Sequence, residues 1–393
     1  MDNQKKLKTN NVKTFQFRIY PDQKQRILMA KTMGCSRFVY NHFLNRRINH
    51  YQATGKGLDY KSCAKELTAL KKGLPWLKEP DSTSLQRSLK NLDDAYDRFF
   101  KGQNKFPKFK KKADTVQSYT SQNNVSKSGK SSIWVEDRHI VLPKVGAVTF
   151  AKSREIKGRI LRATVKRKSS GRYYIAITVQ TDHQALPKTG QACSLDLGIQ
   201  SLMTGSAFSV LNPRPFHELE EQLAREQRKL ARRHEVAKKD GKKLSEAKNY
   251  QKQRKRVAKI HERITNKRMD YLHKLSWFLV KNHDLIAMES LQIKAMLQEK
   301  NLSKAISDSG WGNLIRMLEY KSLWYGRQLV KVDPYFPSSQ LCHACGHRYR
   351  AAKSLAIRQW VCPSCQALHH RDENAAYNIL AEAKRTVGAT GIA

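Results

Sequence analysis

Two CxxC pairs constrain the folding of this chain more than any other feature. Cys342-His-Ala-Cys345 and Cys362-Pro-Ser-Cys365 stand 16 residues apart. Two knuckles at that separation offer four thiolates, the donor set of a tetrahedral Zn²⁺ site. Four protein ligands complete the shell, so the expected metal is structural rather than catalytic. His343, His347, His369 and His370 lie close by. With sulfur filling the shell, they are expected at the surface or behind the ligands. The other cysteines, Cys35, Cys63 and Cys193, are scattered, which points to a reducing compartment and not to a disulfide framework.

Charge decides the partner class. Among 393 residues, 75 are Lys or Arg and 33 are Asp or Glu, a net charge of +42. Such a body repels itself unless a polyanion neutralises it. Nucleic acid is therefore the expected partner, and a purely small-molecule enzyme has no use for the excess. No apolar run of about 18 residues is present, so no membrane-spanning helix is expected. Met1 to Thr14 lacks an apolar core segment, so no secretory signal is expected. The length suggests two or three domains.

Hydrophobic periodicity sketches the elements. Phe15, Phe17 and Ile19 alternate in a strand that Pro21 ends, and Asp22 with Gln25 forms a predicted helix cap. A helix through Ile27, Phe38, Val39 and Leu44 follows. Leu85, Leu89, Leu92, Tyr96 and Phe99 make the buried stripe of another. Ser118 to Ser132 reads as a loop. Short strands follow, at 132–136, 139–151, 160–168 and 172–181, and with the first strand they could close a small barrel around an inserted helical segment at about 22–115. Beyond 188–191, Cys193 to Ile199 and Asp284 to Ser290 are apolar strands carrying single acids. Between them, His217 to Lys281 reads as one long helical stretch, followed by a helix at 311–327 and a strand at 328–332.

Three acids stand out. Asp196 lies within an apolar strand, Glu289 ends one, and Asp372 opens the last helix. A carboxylate in such a strand is costly unless it is paired or metal-bound. Two such strands side by side, with a helix N-terminus, could gather three carboxylates for hard Mg²⁺ ions beside phosphate oxygens. Each acid also has a plain reading, Asp372 as a helix cap and the others as polar strand ends. From Glu221 to Asp270 the helical stretch holds 18 Lys/Arg against 7 Asp/Glu, which favours a polyanion groove over a solvated face. The run Lys105 to Lys112 mixes aromatics with cations. It suits base stacking, or equally a linker that anchors two aromatics in the core.

In their order, these motifs resemble the TnpB (OrfB-type) proteins of insertion sequences, RNA-guided endonucleases related to compact type V CRISPR effectors. Phe17-Arg-Ile-Tyr-Pro21 with Gln25 looks like the family's opening strand. Ser194-Leu-Asp-Leu-Gly-Ile199 looks like its first RuvC motif, and Met288-Glu-Ser-Leu-Gln-Ile-Lys-Ala-Met296 like its second. Arg268-Met-Asp-Tyr-Leu-His-Lys274 precedes the second acid. Trp311-Gly312, Tyr320-Lys321, Pro337-Ser-Ser339 and the Cys pairs follow. Arg371-Asp372 with Asn374-Ala-Ala376 and Asn378 resembles the third motif. The family often reads Asp-Arg-Asp there, and this chain has His370 at the first position. Inactive relatives lose one or more of the acids; this chain keeps all three. The stretch from Gln200 to Asn212, before Pro213, is short, which would alter a loop at the mouth of the site.

The resemblance implies a mixed α/β multidomain protein. Its RNase H-like RuvC nuclease domain would span 191–338 and 368–393, with the zinc ribbon at 339–367 inserted as a target-nucleic-acid-binding module. A small wedge β-barrel would span 1–21 and 118–190, with the helical recognition domain at 22–117 inserted. Asp196, Glu289 and Asp372 would be catalytic and hold two Mg²⁺ ions, one activating water and one stabilising the leaving oxygen. Cys342, Cys345, Cys362 and Cys365 would hold zinc. The partners would be a guide RNA from the element's end and double-stranded target DNA, cut beside a short motif read by residues within the first 190. One chain per RNA is expected, in a prokaryotic cytoplasm and on the nucleoid when bound to DNA. A nuclease-silent RNA-guided regulator and a transposase acting directly in strand transfer are the alternatives.

Overall fold

The computed structural model describes residues 12–198, 201–205, 209–211, 217–298, 303–354 and 356–389. The chain divides into two compact units, the first reaching Asp182 and the second starting at His183. Among the described residues no helix is long and apolar enough to cross a membrane.

Among the described residues the first unit holds seven strands: β1 (Val12–Ile19), β2 (Val116–Gln122), β3 (Trp134–Glu136), β4 (His139–Leu142), β5 (Gly146–Thr149), β6 (Arg159–Lys168) and β7 (Tyr173–Gln180). An antiparallel sheet runs β1-β7-β6-β2, and β3-β4-β5 form a separate meander. Phe15, Phe17 and Ile19 point inward at every second position, as their alternation requires. They pack with Val165, Ile175 and Ile177 of the sheet and Ile140, Leu142 and Val148 of the meander, so one core serves both. A bridge from Ile19 to Phe150 joins them. At Gly158 the backbone φ is +110°, and a Cβ there would lie 2.1 Å from the Gln180 carbonyl, so only glycine lets β6 begin against β7.

The expected loop at 118–132 is corrected here: 116–122 is strand β2. Its polar residues hide a two-residue period, with Tyr119 and Ser121 buried and Thr120 hydrogen-bonded to Thr164 across the ladder at 2.8 Å. Partners, not propensity, make it a strand.

Three helices, α1 (Gln23–Thr54), α2 (Tyr60–Gly73) and α3 (Ser82–Phe100), lie between β1 and β2. The Asp22–Gln25 capping box starts α1 with reciprocal bonds of 2.8 and 3.0 Å. Leu85, Leu89 and Leu92 pack against Val39, Phe43 and Leu44, whereas Ile27 is exposed. In the Lys105–Lys112 run, Phe106 meets Tyr96 and Phe99 edge-on at 5.6 and 5.3 Å, and Phe106 and Phe109 are both exposed. The Asn41 amide grips the Lys110 backbone in both directions. Neither aromatic is anchored in a core, although Phe106 keeps its ring contacts.

In the second unit, β8 (Ala192–Leu195), β11 (Leu285–Glu289) and β12 (Gln328–Val332) form a parallel sheet with β11 in the centre. The hairpin β9 (Ser201–Thr204) and β10 (Ser209–Leu211) joins β8 through reciprocal Asp196–Thr204 backbone bonds of 2.8 Å. Neighbours therefore run β10-β9-β8-β11-β12. Asp196 sits just past the end of β8 rather than inside the strand. Gln200, residues 206–208 and residues 212–216 lie outside those described, and with them the expected alteration of the loop before Pro213.

Helices α4 (His217–Lys239) and α5 (Lys248–Asn282) replace the single stretch expected between the acids. The chain turns at Asp240-Gly241, where Gly241 has a φ of +62°, and the two helices pair. Helix α6 (Trp311–Tyr325) packs on α5, and α7 (Arg371–Ala389) on β8, β11 and β12. Both sheet faces are covered, as a parallel sheet requires. Ile286 and Met288 join the core of α5 and α6, while Ala287 packs with Ile379 and Ala383 of α7.

Candidate active site and metal centre

Strand alternation carries the acids to one side. Cys193 and Leu195 join the α5–α6 core, while the Ser194 hydroxyl donates to the Ala376 carbonyl of α7 at 2.5 Å. Ser194 and Asp196 thus share the α7 side. On β11, Ala287 and Glu289 share it too. Ala287 pairs with Ser194 and Met288 with Leu195, so Glu289 follows in register beside Asp196. Asp372 lies in the first turn of α7, over the same end of the sheet. Three distant stretches meet there.

Their charges feel one another. The Asp196 carboxyl is pushed up to about 7, first by burial and then by the negative charges of Glu289 and Asp372, with Arg371 partly opposing them. Asp372 has its own counter-ions, Arg358 at 3.4 Å and Arg371 at 3.7 Å. Glu289 Oε1 accepts a hydrogen bond from the Ser338 hydroxyl at 2.6 Å. Among the described residues, the four cysteines, and not the three carboxylates, form a group spaced to hold a metal ion.

The raised value has a stability consequence. A carboxyl with a folded pKa near 7 and an unfolded one of about 3.9 costs nothing below the lower value. Its penalty grows as pH rises between the two and is complete above the upper one. Asp196→Asn, measured with zinc in place and no added Mg²⁺, is therefore expected to raise the melting temperature by several degrees at pH 8 and by little at pH 4. Equal effects at both pH values would mean that the carboxyl is not strained.

The four cysteines converge as their spacing requires. Cys342 Sγ lies 3.6 Å from Cys365 Sγ, and Cys345 Sγ lies 3.6 Å from Cys362 Sγ. All four sulfurs fall within 4.8 Å of one another. A Zn–S bond of about 2.3 Å implies tetrahedral S–S edges of about 3.8 Å, so the cage matches the ion. Strands β13 (Gln359–Val361) and β14 (Leu368–His370) carry the second knuckle, and Gly346 and Gln366 take left-handed turns in the two knuckles. Trp360, Ala352, Cys342 and Cys362 form the module's small core. His369 is buried with Nε2 3.0 Å from Cys342 Sγ, behind the ligand, while His343, His347 and His370 are exposed.

Sequence reasoning assigned no role to Ser338, Asn374 or Asn378. Asn374 and Asn378, one turn apart on α7, both donate to the Leu341 carbonyl at 2.7 Å, and Asn378 also donates to the Ser338 carbonyl at 2.8 Å. Their spacing of four residues places them on one helix face. Which backbone they grip is not written in that spacing.

Three family models match parts of the chain. Residues 311–379 match the model of the Cas12f1-like TNB domain, and residues 174–300 match an IS605 OrfB model described as "Probable transposase". Residues 12–56 match an OrfB model described as a helix-turn-helix domain. Here, however, that stretch is β1 followed by the uninterrupted α1. The solved Cas12f1–sgRNA–target DNA complex aligns over 94% of this chain and 98% of its own at 14% identity and a TM-score of 0.32, too remote to assign a fold. "TnpB-like protein L79" of Acanthamoeba polyphaga mimivirus is 27% identical over 53% of this chain and 40% of its own. "Putative RNA-guided DNA endonuclease InsQ" of Escherichia coli K12 is 32% identical, covering 94% of this chain and 92% of its own. A "Putative RNA-guided DNA endonuclease" of Streptomyces pristinaespiralis is 34% identical, covering 94% and 89%. With identity of that order along nearly the whole chain, this protein belongs to the TnpB (OrfB-type) family of insertion-sequence proteins.

Proposed function

We propose that this chain is an RNA-guided endonuclease of an insertion sequence that cuts double-stranded DNA beside a short flanking motif. The observation that carries the reading is the meeting of Asp196, Glu289 and Asp372 on one side of a parallel sheet, where burial and then two negative neighbours raise the Asp196 carboxyl. The strand order β10-β9-β8-β11-β12 with α7 across it supports an RNase H-like RuvC domain at 191–338 and 368–393. The shared core of the two sheets in the first unit supports a small wedge barrel with α1–α3 inserted as the recognition domain. The relatives named as RNA-guided DNA endonucleases support the activity.

The donor sets fit their ions. Four thiolates suit structural zinc, and three carboxylates suit Mg²⁺, which prefers oxygen and keeps part of its water. When bound, two Mg²⁺ ions supply an activated water and charge stabilisation at the leaving oxygen. Asp196, Glu289 and Asp372 would hold those ions, with Asp372 exchanging its ion pairs to Arg358 and Arg371 for them. The basic α4–α5 pair neutralises backbone phosphates. Guide RNA supplies the sequence by base pairing, and the chain reads only the flanking motif. The protein works in the cytoplasm, one chain per RNA.

Sequencing the RNA that co-purifies with the chain, then assaying a matched plasmid with Mg²⁺, tests this. RNA-dependent cuts beside one motif are expected. Joined DNA products formed without RNA would favour the strand-transfer reading, which the "Probable transposase" description suggests. Affinity for the co-purified RNA should also fall steeply with salt. With six to ten phosphate contacts, the loss from 50 to 200 mM salt is about 10³- to 10⁵-fold, because released counterions drive binding. A flat salt response would reject a large phosphate interface.

A further inference from the structure

We propose that Ser338 is a positioning residue for Glu289, and that Asn378 ties the same residue to the helix bearing Asp372. The loop that feeds the zinc knuckles would thereby set the geometry of the carboxylate cluster. This rests on the reading of that cluster given above.

The argument is geometric. Ser338 is buried, and both of its polar oxygens are engaged by different parts of the fold. Its hydroxyl donates to Glu289 Oε1 at 2.6 Å, across to the end of β11. Its carbonyl accepts from Asn378 Nδ2 at 2.8 Å, across to α7. Asn378 is itself buried and also grips the Leu341 carbonyl, one residue before the first zinc-ligating cysteine. Asn374 grips the same carbonyl and receives the His343 backbone N–H at 2.9 Å, inside the first knuckle.

Glu289 is a long side chain at a strand end, and a free carboxylate there would sample several rotamers. One short, charge-assisted hydrogen bond selects among them. It uses one acceptor site and leaves the rest of the carboxylate's capacity for a cation. Partners of this kind orient metal ligands, and losing one typically costs about 10- to 100-fold in metal affinity. Because α7 holds the Ser338 carbonyl, the direction of its hydroxyl is set by the helix that also carries Asp372. The two carboxylates are thus registered through one serine.

The test uses the full chain with its co-purified RNA and Mn²⁺ as the probe, titrated by electron paramagnetic resonance. Wild type, Ser338→Ala, Ser338→Thr, Asn378→Ala and Asp196→Asn are compared, with zinc content measured on each. Ser338→Ala should bind Mn²⁺ about 10- to 100-fold more weakly, keep its zinc, and cut with a raised Mg²⁺ requirement. Ser338→Thr, which keeps the hydroxyl, should recover most of the affinity, and Asn378→Ala should fall between. Wild-type Mn²⁺ affinity in Ser338→Ala overturns the proposal. So does loss of zinc in that variant, which would make the serine a structural part of the module, and so does a threonine variant no better than alanine. If Asp196→Asn leaves Mn²⁺ binding at the wild-type level, it is the carboxylate cluster, not the serine, that has been misread.

Discussion

Asp196→Ala, Glu289→Ala and Asp372→Ala are each expected to lower DNA cleavage by several orders of magnitude and to leave guided DNA binding within a few-fold. The three acids come from a strand end, a second strand end and a helix first turn, and each approaches the site from a different element. Removing one carboxylate leaves the cations misplaced, and a two-metal displacement needs both the attacking and the leaving oxygen stabilised. Binding depends on base pairing and on basic residues elsewhere, so it should persist. Binding and cleavage are measured on one guided target, with Mg²⁺ and with chelator. An alanine variant that cuts at a near wild-type rate removes that residue from the site. Equal cutting by wild type in chelator would reject the metal mechanism altogether.

Cys362→Ser is expected to lose the bound zinc and unfold the module. About one zinc per wild-type chain should fall to almost none, since three thiolates leave the shell open. The core of the module is four residues, two of them ligating cysteines, so little apolar burial remains once the metal is gone. Structural zinc contributes about 10–16 kcal/mol in small metal-folded domains, more than such a core can replace. Cleavage should vanish as well, because α7 holds the knuckle loop through Asn374 and Asn378. Metal analysis and limited proteolysis around 339–367 check this. Undiminished zinc in the variant would refute the four-thiolate assignment.

Much of this protein is local and therefore legible in sequence. The zinc cage follows from two CxxC pairs, because each knuckle places its two sulfurs by local turns alone. The Asp22–Gln25 box marks the start of α1 to the residue, and the strands read at 160–168 and 172–181 stand as β6 and β7. Single acids in two apolar stretches mark Asp196 and Glu289 as unusual on composition alone, since burying a charge is costly.

What spans the sequence is not legible in this way. Strand β2 is polar and reads as a loop, and pairing with β6 makes it a strand. The long basic stretch reads as one helix, and Gly241 turns it into two that hydrogen-bond to each other through Arg233, Glu226 and the buried Gln253. Above all, a sequence does not say which residue of β8 lies beside which residue of β11. A one-residue slip in that parallel register would send Glu289 to the opposite face from Asp196. Composition and motif named the acids, the thiolates and the charge; only the tertiary structure brought Glu289 beside Asp196 and placed Ser338 against it. Hydrogen bonds between residues 49 apart form only after the whole sheet has set their separation.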